Sequence, residues 1–596
     1  MRDNLRYLNQ KWWQYDRRSI ILAVINIPTQ ILLPVLTAYI PKQIIDAILG
    51  NWNMNQMIMT IILFSIAISL LNWINPYFVG KLNAAGAIVQ MHLAVSAFNK
   101  ILYMNYKKLE SAETRKGWEQ VREFTLKKRE GLHSFYSMQS QIAANALGIF
   151  TYIFLLIRLD WRLIAIILVS CSLDYFVKFY LRRASKWIWG KRRAMSARFD
   201  YFYRIAIDAA TGKDVHLYNA KNWMIGYLLQ WRQTLNDNER KCNHQYVAGG
   251  AIMALTNLLR EGAAYAFLII SCLNNNITVA DFIFYFGIVT GFSTWIIGLM
   301  NQFESINSIC YGCQKYREFV EAVETEDRGT LAAPERFETL EFRNVSYTYP
   351  HSDEKALSNI NFVVTRGERV ALVGENGAGK TTLIKLICGF YAPTKGEVLL
   401  NGRHLWEYKR ESLFDIFSAL FQDYDFLPMA LCENITAKKK GSEDRELLKS
   451  VLTKASMWQE VEALSQKTES YMVKDVYEDA VNFSGGQRQR LLLAKALYKK
   501  TTQILILDEP AAALDPIAEN RLYETFASLM KETTSFFVSH RLSSTRFCDR
   551  IFYMAGGTIS EEGAHEPLLA MHGGYWRMFE TQSFYYRNGV ENEEAN

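Results

Sequence analysis

Gly374-Glu375-Asn376-Gly377-Ala378-Gly379-Lys380-Thr381 stands directly behind the apolar run Val370-Ala371-Leu372-Val373. The spacing G-x-x-x-x-G-K-T is that of a phosphate-cradling loop. Its backbone N–H groups surround phosphate oxygens, its lysine reaches the β/γ-phosphates and its threonine hydroxyl ligates Mg²⁺. Residues 369–373 read as a buried strand, so strand, loop and helix follow in the order the motif requires. Alone, the motif says nucleotide and no more. Three further stretches follow it: Phe483-Ser484-Gly485-Gly486-Gln487, the run Ile504-Leu505-Ile506-Leu507 closed by Asp508-Glu509, and Ser539-His540.

Upstream the chain changes character. The 596 residues suffice for more than one domain. Six apolar runs lie in the first half: Ile20–Ile40, Met57–Val79, Met138–Ile157, Leu163–Tyr180, Ala248–Leu273 and Ala280–Met300. Helices of that length cross a hydrocarbon core of about 30 Å. Charge orients them: residues 81–136 carry ten Lys/Arg and residues 181–247 carry thirteen, whereas the other connections hold only Lys42, Arg158 and Arg162. This bias predicts that both long loops and both termini are cytoplasmic.

The net charge of +7 follows from juxtamembrane cations such as Arg182, Arg183, Lys186, Lys191, Arg192 and Arg193 facing anionic lipid. No nucleic-acid partner is needed to explain it. Cys310 and Cys313 form a C-x-x-C without a second pair or a histidine cluster nearby, so two thiols on one helix face are expected rather than a metal centre. The first apolar run, broken by Pro28 and Pro34, is too long for a signal sequence.

These features predict an α-helical six-span membrane domain over 1–318, with long cytosolic helical extensions, and a polar linker over 319–336. An α/β P-loop domain over 337–582 and a polar tail over 583–596 follow, with disorder expected from Arg587. The two basic loops are poor in Gly and Pro and read as helical continuations of the spans. Leu340 to Tyr347 alternates as a strand.

S-G-G-Q followed by Arg488-Gln489-Arg490 resembles the signature of ATP-binding-cassette (ABC) proteins, and the order and spacing of all four stretches agree with that family. The resemblance covers nearly the whole chain, a membrane domain followed by a cassette as in bacterial ABC half-exporters. It implies ATP and Mg²⁺ as cofactors. Nucleotide contacts are then implied from Gly374, Asn376, Gly377, Gly379, Lys380, Thr381 and Thr382, and Tyr349 matches the aromatic that stacks on adenine, with Tyr347 competing for that role. Thr381, Gln422 and Asp508 are the implied Mg²⁺ residues. Glu509 is the implied general base, Gln422 the γ-phosphate sensor and His540 the switch histidine. Ser484, Gly485, Gly486 and Gln487 open a helix whose N-terminus suits an anion. In the family that anion is the γ-phosphate held by the opposite cassette, which implies an obligate dimer, and Asp515 matches the loop beside it.

Met104–Glu110 and Gly212–Asn219 resemble the two coupling helices of such exporters, with segments near 104–112 and 212–219. Two departures stand out: Phe483 where leucine is usual and Ala480 where glycine is. The segment containing Asp515 also lacks the common serine, so a homodimer and a heterodimer with a related half-transporter both fit. Asp174, Arg260 and Glu261 lie within spans, where ionisable groups line a substrate cavity or pair with one another. About 19 residues precede the first span, so no leader-cleaving protease domain is expected. The implied function is ATP-driven export of a peptide, lipid-like or amphiphilic molecule across a bacterial inner (plasma) membrane, with an importer on the same fold as the rival.

Overall fold

The computed structural model describes residues 1–50, 52–126, 131–322, 329–350, 352–421, 424–510, 533–539 and 542–591, with 182–197, 200, 209–210, 542–544 and 584–591 described by backbone alone. The chain divides into two compact units: Met1–Tyr103 with Ala112–Ala322, and Met104–Ser111 with Val323–Asn596.

The first unit is helical: α1 (Arg2–Tyr15), α2 (Arg18–Leu49), α3 (Met54–Leu102), then, after α4 (Tyr106–Glu110) of the second unit, α5 (Ala112–Leu126), α6 (Phe135–Ile157), α7 (Trp161–Ile207), α8 (Ala209–Leu217), α9 (Lys221–Leu273) and α10 (Val279–Val320). Among the described residues six helices are long and apolar enough to cross a membrane, and each apolar run read from the sequence falls in one of them. Side chains such as Leu63, Ile66 and Trp73 face outward, a surface that lipid tolerates and water does not. Pro28, Pro34 and Pro41 lie inside α2, where a membrane bundle re-satisfies the carbonyls they free. Helix α9, with 53 residues, rises about 80 Å, well over the hydrocarbon thickness of about 30 Å. The same holds for α3 and α7, so the basic loops are largely helix.

The bundle closes on two apolar clusters, one around Leu82, Val89, Phe135 and Tyr316, the other around Tyr152, Leu163, Leu268 and Phe292. Helix α1 is tied to the first: Trp12 stacks on Tyr136 with centroids 4.0 Å apart, and Asn4 donates to the Cys310 carbonyl at 3.0 Å. Cys310 and Cys313 are both buried in that cluster, and the described residues contain no group of three or more metal-ligating side chains.

The second unit is α/β. Strands β1 (Thr339–Thr348), β2 (Lys355–Thr365), β4 (Lys395–Leu400) and β5 (Arg403–His404) form an antiparallel sheet in the order β2-β1-β4-β5. A second sheet runs β10-β9-β3-β8-β7-β6, from β3 (Arg369–Gly374), β6 (Phe417–Leu420), β7 (Ile504–Asp508), β8 (Thr534–Val538), β9 (Arg550–Ala555) and β10 (Thr558–Gly563). All its pairs are parallel except β10 with β9. The strands alternate between two cores, as their period of two requires. Ala371, Val373, Leu505 and Leu507 join one cluster, while Val370, Leu372, Ile504 and Ile506 join the other. Burial on both faces explains why β3 and β7 are continuous apolar runs. Three of the helices packed on these sheets bear on the site: α11 (Lys380–Ile387), α12 (Gly485–Tyr498) and α13 (Gly574–Glu591). Helix α13 continues past Arg587, where the polar composition predicts disorder, to Glu591, and so runs through Asn588-Gly589, a pair that ordinarily ends a helix.

Candidate functional site

The parallel register brings the motifs to one edge. Val538 pairs with both Leu372 and Asp508, so β3, β8 and β7 end side by side, and loops at the carboxyl ends of parallel strands are where such sheets bind ligands. The phosphate loop leaves β3, Asp508 and Glu509 leave β7, and Ser539 leaves β8. Backbone bonds knit the edge: Glu509 N donates to Val538 O at 3.0 Å and Ser539 N to Leu372 O at 3.4 Å.

The loop needs its glycines. Gly374 holds φ +147°, and a Cβ there would lie 2.2 Å from the Met554 carbonyl oxygen on β9; Gly379 holds φ +100° beside Leu357 and the Ala356 carbonyl. Glu375, Asn376 and Gly377 are exposed, and so is Thr381 in the first turn of α11. Lys380 is buried, and its Nζ donates to the Gly374 and Glu375 carbonyls at 2.8 and 2.9 Å, which sets the ammonium in the middle of the loop. Burial pushes the Lys380 pKa down, and the nearby charges of Glu509 and Asp508 pull it partly back. These exposed amides, the helix start and the ammonium fit a nucleoside triphosphate.

Asp508 is buried at the end of β7 and Glu509 is half-exposed beyond it. Glu509 takes φ +51° immediately before Pro510, a left-handed conformation that is uncommon for a non-glycine residue and marks strain at a candidate functional position. The motif gave no warning of it. Gln422, His540 and Asp515 lie outside the described residues.

The two tyrosines that compete in the sequence separate here. Tyr347 is 2% exposed and packs in the core, whereas Tyr349 is half-buried, with its hydroxyl 3.0 Å from Thr382 Oγ1 on α11. Tyr349 is therefore the one able to offer a face to a base.

Ser484 caps α12 in a capping box: Gln487 N donates to Ser484 Oγ at 3.3 Å and Ser484 N to Gln487 Oε1 at 2.8 Å. Such a cap is worth about 1 kcal/mol. Phe483 packs in the cluster that contains Leu491 and Leu452, so an aromatic ring fills the place of the usual leucine. The phosphate loop and α11 pack instead in the other cluster, through Ala378, Leu383 and Ile384.

In the first unit Asp174 and Arg260 are each 2% exposed, bridging α7 and α9 with Arg260 Nη1 3.7 Å from Asp174 Oδ2. Thr256 donates to Asp174 Oδ1 at 2.5 Å and Arg260 donates to Asn257 Oδ1 at 2.7 Å. The geometry is that of an interhelical ion pair. Glu261, 3.9 Å from Arg260, keeps 34% of its side chain exposed.

A family model for "ABC transporter" matches residues 357–512. The chain is 29% identical to the "Subtilin transport ATP-binding protein SpaT" of Bacillus subtilis over 97% of this chain and 93% of that protein. It is 30% identical to the "ATP-dependent lipid A-core flippase" of Pasteurella multocida over 58% of this chain and 60% of the flippase. Its fold matches a structure described as "Structure of a bacterial Atm1-family ABC exporter with ATP bound", with a TM-score of 0.76, 21% identity and coverage of 95% and 98% of the two chains.

Proposed function

We infer that this chain, an ABC half-transporter of the exporter type with its ATP-binding domain fused behind its membrane domain, moves a peptide, lipid-like or amphiphilic molecule out of the cytoplasm of a bacterium by alternating access. The observation that carries the reading is that one polypeptide holds six apolar helices of spanning length and a sheet edge with the phosphate loop beside Asp508-Glu509. Lys380 neutralises the β- and γ-phosphates and Tyr349 supports the adenine. Glu509 orients the attacking water and accepts its proton. Thr381 and Asp508, with Gln422, would hold Mg²⁺, which supplies charge neutralisation on the phosphates. Asn376, Gly377, Gly379 and Thr382 complete the cradle, and His540 contacts the γ-phosphate.

Ser484, Gly485, Gly486 and Gln487 at the start of α12 close the nucleotide site of a second cassette, and Asp515 lies at that junction. Packing of this helix start and of the phosphate loop in separate cores supports that reading. So do Leu217 and Tyr218, at the end of α8, which are 77% and 76% exposed and call for a partner surface. A homodimer in the inner membrane, with its ATP-binding domains and termini cytoplasmic, is the simplest assembly. ATP-dependent uptake of a labelled amphiphilic peptide or lipid into inside-out vesicles tests the reading: uptake lost in Glu509→Gln supports a pump, whereas equilibration without accumulation against a gradient means a channel.

A further inference from the structure

Helix α4, at the tip of the first basic loop, clusters with the ATP-binding unit, where Glu110 touches two of its residues. Lys385 Nζ, on α11, donates to Glu110 Oε1 at 2.8 Å, and the Tyr391 hydroxyl donates to Glu110 Oε2. Lys385 also lies over the Tyr391 and Tyr106 rings at 5.3 and 5.5 Å. Tyr391 in turn stacks on Tyr347, with centroids 5.1 Å apart and planes at 4°, and meets Tyr349 edge-on at 5.8 Å and 89°. Tyr347 and Tyr349 are themselves edge-on at 5.1 Å. Glu110 thus anchors a three-tyrosine cluster whose half-exposed member is Tyr349. Burial raises the Tyr391 pKa and the Glu110 carboxylate raises it further, so the phenol stays a donor throughout the physiological range.

We propose that Glu110 is a positioning residue for nucleotide binding: through Tyr391 it fixes the ring of Tyr349, so the loop tip sets affinity for the base rather than for the phosphates. The inference rests on Tyr349 being the adenine platform. It makes the tip of the membrane domain's first loop part of the nucleotide site's support. Displacing the tip then loosens ATP, and binding ATP holds the tip.

The test is equilibrium binding of ADP and of inorganic tripolyphosphate to the full-length chain in lipid nanodiscs, which needs no turnover. Edge-on ring contacts are worth enough to change affinity about three- to tenfold. Glu110→Ala and the milder Tyr391→Phe are each expected to weaken ADP by that factor and leave tripolyphosphate unchanged. The double variant is expected to be no worse than either, because both act through one contact. Glu110→Gln, which keeps an acceptor for Tyr391, is expected to recover most of the loss. Unchanged ADP affinity in both single variants overturns the proposal, as does an equal loss for tripolyphosphate. Tyr349→Ala separates the layers. If it weakens ADP while Glu110→Ala does not, only the relay fails; if it has no effect on ADP, the adenine platform fails as well.

Discussion

Glu110 and Lys385, 275 positions apart in sequence, meet at 2.8 Å. Burial raises the Glu110 pKa, but hydrogen bonds from Lys385 and Tyr391 outweigh it and the net shift is downward. The carboxylate therefore stays charged well below neutrality, and this contribution is lost only as pH falls through the depressed value. The pair joins the tip of a membrane-domain loop to the helix that carries Lys380 and Thr381. Exposed pairs of this kind contribute about 1 kcal/mol or less, so its value lies in position more than in stability.

Reversing one charge tests that. Glu110→Lys is expected to lower ATP turnover several-fold with little change in melting temperature, and Glu110→Lys combined with Lys385→Glu to restore most of it. Turnover in proteoliposomes measures this; a double variant no better than the single one argues against a direct pair.

Asp174 and Arg260 make the opposite prediction. Removing one partner of a buried pair leaves an uncompensated charge and costs about 3–5 kcal/mol. Asp174→Ala is expected to lower the thermal unfolding midpoint sharply, and Asp174→Leu with Arg260→Leu to recover much of the loss. If Asp174→Ala instead folds normally and loses only transport, the pair belongs to the substrate path.

A buried polar cluster near the C-terminus sets a pH dependence. His565 is 7% exposed, its Nε2 accepts from Arg546 Nε at 3.3 Å, and its Nδ1 lies 2.7 Å from the Tyr575 hydroxyl. With Nε2 accepting, Nδ1 carries the proton. Burial, and then the Arg546 charge, lower the His565 pKa. The neutral ring is thus the native form, and its contribution is present above the unfolded pKa of about 6.5 and lost as pH falls from there through the lower native value. The unfolding midpoint of the full chain is expected to fall between about pH 7.5 and about pH 5.5, with a shallower fall in His565→Gln. Identical slopes would remove His565 from the account.

The six spans and the strand–loop–helix of the phosphate site were legible because each is local: a span needs only length and hydropathy, and the loop needs only its own eight residues. Relationships over long separations were not. Tyr347 and Tyr349 look alike in a string of letters, and burial tells them apart: Tyr347 lies in the core and Tyr349 is half-buried. The sequence left Arg260 balanced between a cavity and an ion pair, and its burial beside Asp174 on another helix favours the pair. The resemblance of Met104–Glu110 to a coupling helix agrees with its clustering in the ATP-binding unit, but not with any particular partner there, since Lys385 and Tyr391 carry no signature of their own.

The most direct test is ATP hydrolysis by the purified chain alone in lipid, compared with Glu509→Gln. The account predicts Mg²⁺-dependent turnover that the substitution lowers about a hundredfold or more, the scale expected for loss of a general base, with ATP binding retained. Turnover that survives Glu509→Gln undiminished would contradict the role of Glu509. Binding without turnover in the wild-type chain would contradict a self-sufficient homodimer.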